Sequence, residues 1–154
     1  MSASVSVRLE QHRFDPLEEL NALLDGAGDD GAVVSFVGLA RARSTGGDAV
    51  NRLVLEHHPT LTESSLQEIA LAAAQRFGVS KIRVVHRCGE IQPGQPVVFA
   101  GAASTHRRAA FAAADYLMDR LKTEAVFWKS EEGPAGVRWI EPTEADYLER
   151  ERWI

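Results

Sequence analysis

Pro96-Val97-Val98-Phe99-Ala100-Gly101-Ala102-Ala103-Ser104-Thr105-His106-Arg107-Arg108, residues 96–108, is where a strand gives way to a helix. The unbroken apolar run from Pro96 to Ala103 predicts a buried strand with Gly101 inside it. Beyond Thr105 the apolar residues fall at helical spacing as far as Lys122. Phe111, Ala114, Met118 and Leu121 form the predicted core-facing stripe. A buried strand that runs straight into an amphipathic helix needs neighbours on both sides, so the flanking segments decide the fold class.

Upstream, Ile82, Val84 and His86 alternate as a strand, and Pro93-Gly94 is a turn. Thr60-Leu61-Thr62-Glu63 reads as a capping box. It opens a helix that carries Leu66, Ile69, Ala70, Ala73 and Phe77 and stops at Gly78. Leu53 to His57 predicts a strand ended by Pro59. Ala32 to Leu39 predicts a short buried strand, and Ala40 to Asp48 a mobile loop. Val5, Val7 and Leu9 alternate as a half-buried strand. Asp15-Pro16-Leu17-Glu18 then starts a helix, with Asp15 as N-cap and Glu18 closing a capping box, that runs to Leu24. Downstream, Val126 to Ser130 and Val137 to Glu141 flank Gly133-Pro134-Ala135-Gly136, which predicts a hairpin. Thr143 to Ile154 reads as a short charged helix or an ordered arm. With no repeat and no linker, residues 1–154 are expected to form a single catalytic domain. Interleaved strands and helices plus hairpin signals predict an α+β fold with mainly antiparallel or mixed sheets.

A chain of 154 residues, 45% hydrophobic and 25% charged, has a globular composition. Its net charge of -5 argues against a general nucleic-acid-binding face and makes any local basic patch more informative. The one cysteine, Cys88, cannot close an internal disulfide, and no Cys-x-x-Cys pair exists to hold a metal. Met1 to Glu10 lacks a signal-type apolar region, and no run of about 18 apolar residues occurs, so no membrane contact and a cytoplasmic location are expected.

The helix that begins near Thr105 opens with His106, Arg107 and Arg108, the wrong charges for the positive end of a helix dipole. Either the side chains splay into solvent or an anion occupies the spot. Lys122 near the other end is explained by the dipole alone. Lys129, inside Phe127-Trp128-Lys129, must either snorkel outward or serve a pocket. Arg41 and Arg43 are ordinary surface charges or parts of an anion clamp. His57-His58 lack metal-ligand spacing, because adjacent strand residues point to opposite faces. His86 reads as a packed strand histidine. Cys88 beside Arg87 is either an activated thiol or a small hydrophobe. Trp128, Trp139 and Trp153 read as core or interface aromatics. A non-catalytic module for a nucleotide or phosphorylated metabolite fits the helix-end cations alone. A sulfurtransferase using its own thiol would need Cys88.

Several stretches together resemble the family of molybdopterin synthase large, catalytic subunits. They are Asp30-Gly31-Ala32-Val33-Val34-Ser35-Phe36-Val37-Gly38, Leu55-Glu56-His57-His58-Pro59, Val85-His86-Arg87-Cys88-Gly89-Glu90 and Pro93-Gly94, followed by Ser104-Thr105-His106-Arg107, Tyr116 to Thr123, Phe127-Trp128-Lys129-Ser130-Glu131 and Arg138-Trp139. The resemblance implies an α+β fold containing an α/β-hammerhead. It implies transfer of two sulfurs to cyclic pyranopterin monophosphate, giving the dithiolene of molybdopterin. The sulfur donor would be the C-terminal Gly-Gly thiocarboxylate of a small ubiquitin-like subunit, in a heterotetramer built on a homodimer of this chain. No metal or resident cofactor is implied. Lys122 and Lys129 correspond to the catalytic lysines. Leu39, Ala40, Arg41, His106, Arg107, Ser130 and Glu131 join them as the substrate-binding set. Leu39 stands where the family often has lysine and Cys88 where it often has an aliphatic residue. Arg138 is a candidate cross-subunit contact. The expectation is that Arg41, His106, Arg107, Lys122 and Lys129 converge on one anionic recess.

Overall fold

A computed structural model describes residues 3–26 and 28–154, so Met1 and Ser2, part of the N-terminal reading, lie outside the described residues. The elements are β1 (Ser4–Glu10), α1 (Pro16–Leu24), β2 (Ala32–Leu39), β3 (Arg52–His57), α2 (Leu61–Phe77), β4 (Lys81–Arg87), β5 (Gly89–Ile91), β6 (Pro96–Ser104), α3 (Arg107–Glu124), β7 (Phe127–Gly133), β8 (Gly136–Ile140) and α4 (Glu144–Glu151). They build two four-stranded sheets, ordered β1-β4-β6-β2 and β5-β3-β7-β8. The first is mixed, with β1 parallel to β4 and the other pairs antiparallel. The second is antiparallel throughout. The α+β expectation holds.

The main core lies between the first sheet and the pair α2 and α3, around Leu66, Ile69, Ile82, Val84 and Leu117. The opposite face is covered by α1 and the stretch before it, with Leu23 and Phe14 packed on Val85 of β4 and Phe99 of β6. Buried Glu19 holds α1 down, accepting two bonds from Arg8 and two from Arg83. Burial pushes the Glu19 carboxyl up, but hydrogen bonds and charge from Arg8 and Arg83 outweigh it and leave the pKa below the usual value.

Four local expectations need correction. Ala32–Leu39 forms a strand at the predicted bounds, but it is a sheet edge, with Phe36 43% and Leu39 58% exposed. A β-branched apolar run reports strand propensity and does not say how many neighbours the strand has. The buried face of α3 is Ala110, Ala113, Ala114, Tyr116, Leu117 and Leu121, whereas Phe111 is 60% exposed. Alanines lie opposite the small residues Ala100 and Ala102 of β6, so the helix sits close and the larger Phe111 is turned outward. At α2 the Thr60 side chain makes no cap bond; His58 Nδ1 accepts the Thr60 and Leu61 N–H groups instead. At α1 Asp15 caps by accepting from Leu17 N–H, and Glu18 is not part of the cap.

Gly78 ends α2 in the left-handed conformation, as predicted. The hairpin also forms as predicted, with Gly133 paired to Gly136 across Pro134-Ala135. A Cβ on Gly133 would lie 2.1 Å from the Ala49 carbonyl oxygen, so glycine there lets the loop after β2 press against β7. The C-terminal segment folds over α3. Trp153 packs edge-on against Phe77 and Tyr116, donates to Asp119 at 2.7 Å, and has the Arg76 guanidinium over its ring. No helix among the described residues is long and apolar enough to cross a membrane.

Candidate active site

Lys122 occupies the last turn of α3, exposed, where a cation suits the helix dipole. Lys129 is the third residue of β7. It pairs with Leu55 of β3 and Ile140 of β8, so those three side chains share one face of the sheet. Leu55 is buried against Ala40, with Phe127 packed alongside. Lys129 is therefore half-buried at the edge of a small apolar cluster. Burial, with the charge of Lys122 second, lowers its pKa to about 8 against a partial opposing pull from Asp146 on α4. The two lysines, apart in sequence, are electrostatic neighbours.

Beneath them lies His86, buried on β4, its ring stacked on Phe127 with centroids 4.2 Å apart. Its Nδ1 is 2.9 Å from the Arg87 carbonyl oxygen. A carbonyl can only accept, so Nδ1 carries the proton and Nε2 the lone pair. Burial first, and the Lys129 charge in addition, lower its pKa to about 4. The packed-histidine reading holds, and the ring forms the neutral floor of the lysine site.

Arg41 follows Ala40, whose N–H donates to Gln95 and whose carbonyl accepts from Gly94. That anchorage, with Ala40 packed on Leu55, fixes the backbone from which the exposed Arg41 side chain leaves. Leu39 is exposed at the end of β2. Glu131 shares the face of Lys129 and is paired with Arg138 at 3.1 Å. Ser130 is buried on the opposite face, because neighbouring strand residues alternate.

His106, Arg107 and Arg108 lie exposed at the other end of α3, with no acidic residue in the first turn. They line a cleft of about 700 Å³ together with Phe111, Asp115 and Trp153. From Arg107 to Lys122 the helix rises roughly 22 Å. One chain therefore does not bring the five predicted cations together. It holds Lys122 with Lys129 at one end of α3 and His106 with Arg107 at the other, and Arg41 comes from the loop after β2.

Among the described residues Arg8, Arg52, Arg83, Arg120, Arg138, Arg150 and Arg152 make ion pairs; Arg41, His106, Arg107, Lys122 and Lys129 make none, and neither do Arg13, Arg43, Arg76, Lys81, Arg87 and Arg108. Unpaired cations clustered at two sites suit an anionic ligand. Cys88 is different: its thiol is buried, burial raises its pKa, and its Sγ donates to the Glu10 carbonyl. Such a thiol is a poor nucleophile. Residue patterns gave no sign that Asp146 acts on Lys129 or that Thr62 and Ser65 bond the Val126 backbone between the lysines, because each comes from a distant element and is unremarkable in its own segment.

A family model described as "MoaE protein" matches residues 9–124. The chain is similar to the "Molybdopterin synthase catalytic subunit" of Caulobacter vibrioides, 46% identical over 147 residues, covering 96% of each chain. Among solved structures it is similar to a molybdopterin biosynthesis MoaE protein from Burkholderia ambifaria, with TM-score 0.80, 36% identity, and 99% and 98% of the two chains covered. A complex of subunits 1 and 2 of the molybdopterin-converting factor from Helicobacter pylori shares the fold, with TM-score 0.71 at 21% identity and 90% of each chain covered.

Proposed function

The chain belongs to the MoaE protein family, and on that footing we propose that it is the catalytic subunit of molybdopterin synthase. It adds two sulfurs to cyclic pyranopterin monophosphate and so forms the dithiolene of molybdopterin. The sulfur comes from the C-terminal Gly-Gly thiocarboxylate of a small ubiquitin-like subunit; each donor takes up an oxygen in exchange, from the pterin carbon–oxygen bond that is replaced or from water, and leaves as a carboxylate. Both reactants are anions. The carrying observation is the Lys122–Lys129 pair, adjacent and free of ion pairs, with Lys129 brought to about 8. An amine near the working pH can both neutralise charge and exchange a proton with a reacting group. Lys122, on the more exposed helix end, faces the incoming thiocarboxylate. Lys129, with Arg41, orients the phosphorylated pterin. The sulfur arrives already activated as a thioacid, so the reaction proposed here needs no resident metal or cofactor.

His106 and Arg107 enter the same site from a second copy of the chain. The roughly 22 Å along α3 separates them from the lysines of their own chain, and a two-fold dimer can set one end of α3 against the other chain's lysines. The working assembly is a homodimer flanked by two small subunits, acting in the cytoplasm. Ser130 supports β7 from its far face, and Glu131 acts through Arg138.

Mixing the chain with thiocarboxylated small subunit and the cyclic pterin is expected to yield dithiolene product. Lys129→Ala is expected to lower turnover by about a hundredfold or more while pterin binding survives. No product from verified intact partners removes the assignment. Full turnover by Lys129→Ala removes Lys129 from the catalytic set, and anion binding without any turnover by the unaltered chain instead favours a binding module that uses only the helix-end cations.

A further inference from the structure

Ala125 and Val126 join α3 to β7, and this short connection sets how Lys122 stands to Lys129. Both backbone polar groups of Val126 are held by side chains from α2. The Thr62 hydroxyl donates to the Val126 carbonyl, and the Val126 N–H donates to Ser65 Oγ at 3.1 Å. The two hydroxyls are themselves tied down. Ser65 Oγ donates to the Thr62 carbonyl at 2.7 Å, and Thr62 Oγ1 accepts the His58 N–H at 2.8 Å. Thr62 is fully buried. A buried hydroxyl with its donor and its acceptor both used has no alternative arrangement, so it transmits position rigidly. The next residue, Phe127, is fixed from a second direction by its stack on His86.

We propose that Thr62 and Ser65 are positioning residues for sulfur transfer: their paired hydroxyls grip the Val126 peptide and so fix the separation and orientation of Lys122 and Lys129. Neither touches a reacting group, and both act through the α3–β7 connection. The proposal rests on the reading that these lysines carry the reaction. Both residues lie on α2, remote in sequence from the lysines they serve.

The charged and titratable groups around Lys129 are Lys122 from α3, His86 from β4 and Asp146 from α4, with His57 on β3 and the Glu131–Arg138 pair along the same sheet face. Thr62→Val keeps the shape of the side chain and changes none of these charges. Any change it makes in the titration of Lys129 therefore reports altered placement.

Lys129 can be titrated in the full chain by the pH dependence of its acylation by a small amine reagent, read by peptide mass spectrometry. Sulfur transfer is followed in parallel with the thiocarboxylated small subunit, separating kcat from KM. Thr62→Val should move the Lys129 midpoint upward from about 8 as the amine gains water and leaves Lys122. It should lower kcat about tenfold or more, with KM changed less than about threefold, since small misplacements act on the reacting geometry. Thr62→Ser, which restores the hydroxyl, should recover both. Ser65→Ala removes one of the two Val126 bonds and should give the same changes, smaller; it serves as the test if Thr62→Val does not fold. A folded Thr62→Val or Ser65→Ala protein with the wild-type midpoint and kcat overturns the proposal. If Lys129→Ala transfers sulfur normally while Thr62→Val still shifts the midpoint, the functional reading fails and the clamp stands.

Discussion

A proton reaching His86 must enter an apolar floor already facing the Lys129 ammonium, which is why the imidazole titrates at about 4. The unfolded chain binds that proton near the ordinary 6.5, so its stabilising contribution is complete above 6.5 and is lost as pH falls toward 4. Between pH 7.5 and 5 the loss is about 2 kcal/mol. His86→Phe keeps a ring against Phe127 and should lose about that much less stability over the same interval, measured by urea denaturation. Lys129 has the opposite charge logic. The charge on the free enzyme is lost as pH rises through about 8, so kcat/KM should fall above that point. Lys122→Ala removes a like charge and should carry the falling limb to higher pH in whatever activity remains. A shift to lower pH contradicts the pairing. Individual residues were the most legible level. Lys129 beside Phe127 and Trp128 had two readings, outward or in a pocket, and Cys88 had two, activated thiol or small hydrophobe; the structure takes the second of each. The sequence could not show the neighbours that set these environments.

Element boundaries followed from caps and periodicity, as at Gly78 and at the Gly133–Gly136 hairpin. Which face an element buries was harder to read. The predicted stripe on α3 placed Phe111 inward because large apolar residues usually face the core. The helix does bury Ala114 and Leu121 of that stripe, but it adds Ala110, Ala113, Tyr116 and Leu117 and leaves Phe111 outside. Alanine is nearly neutral as a sequence signal, so only the facing Ala100 and Ala102 reveal that close approach decides the rotation. Ala113→Leu should therefore cost about 1–3 kcal/mol through overpacking. Phe111→Ser in the isolated chain should cost less than about 1 kcal/mol. Thermal melts of the two variants check the order, and the reverse order restores the predicted stripe. The edge position of β2 was hidden for a related reason: an apolar strand looks the same in sequence whether it has one neighbour or two.

At the scale of the whole molecule, the sequence named the cations but not their geography. Charge type and helix-end position are local, whereas the distance between the two ends of α3 becomes clear only when the helix is counted out residue by residue. If the site is shared across a dimer, one chain lacking His106 and Arg107 and another lacking Lys122 and Lys129 should each be inactive alone. Mixed by unfolding and refolding at equal amounts, they should recover about a quarter of wild-type activity, because half the dimers hold one intact site of two. No recovery, with mixed dimers shown by mass, confines the site to one chain.

The three tryptophans give the chain its own optical signal. Trp128 and Trp139 are 50% and 59% exposed, whereas Trp153 is wedged between Phe77 and Tyr116 beneath the Arg76 guanidinium. With the first two replaced by phenylalanine, the remaining emission would come from one indole whose surroundings are set by contact between the last turn of chain and α2 and α3. A red shift and easier quenching by acrylamide would then mark the moment that segment lifts away, without any attached dye.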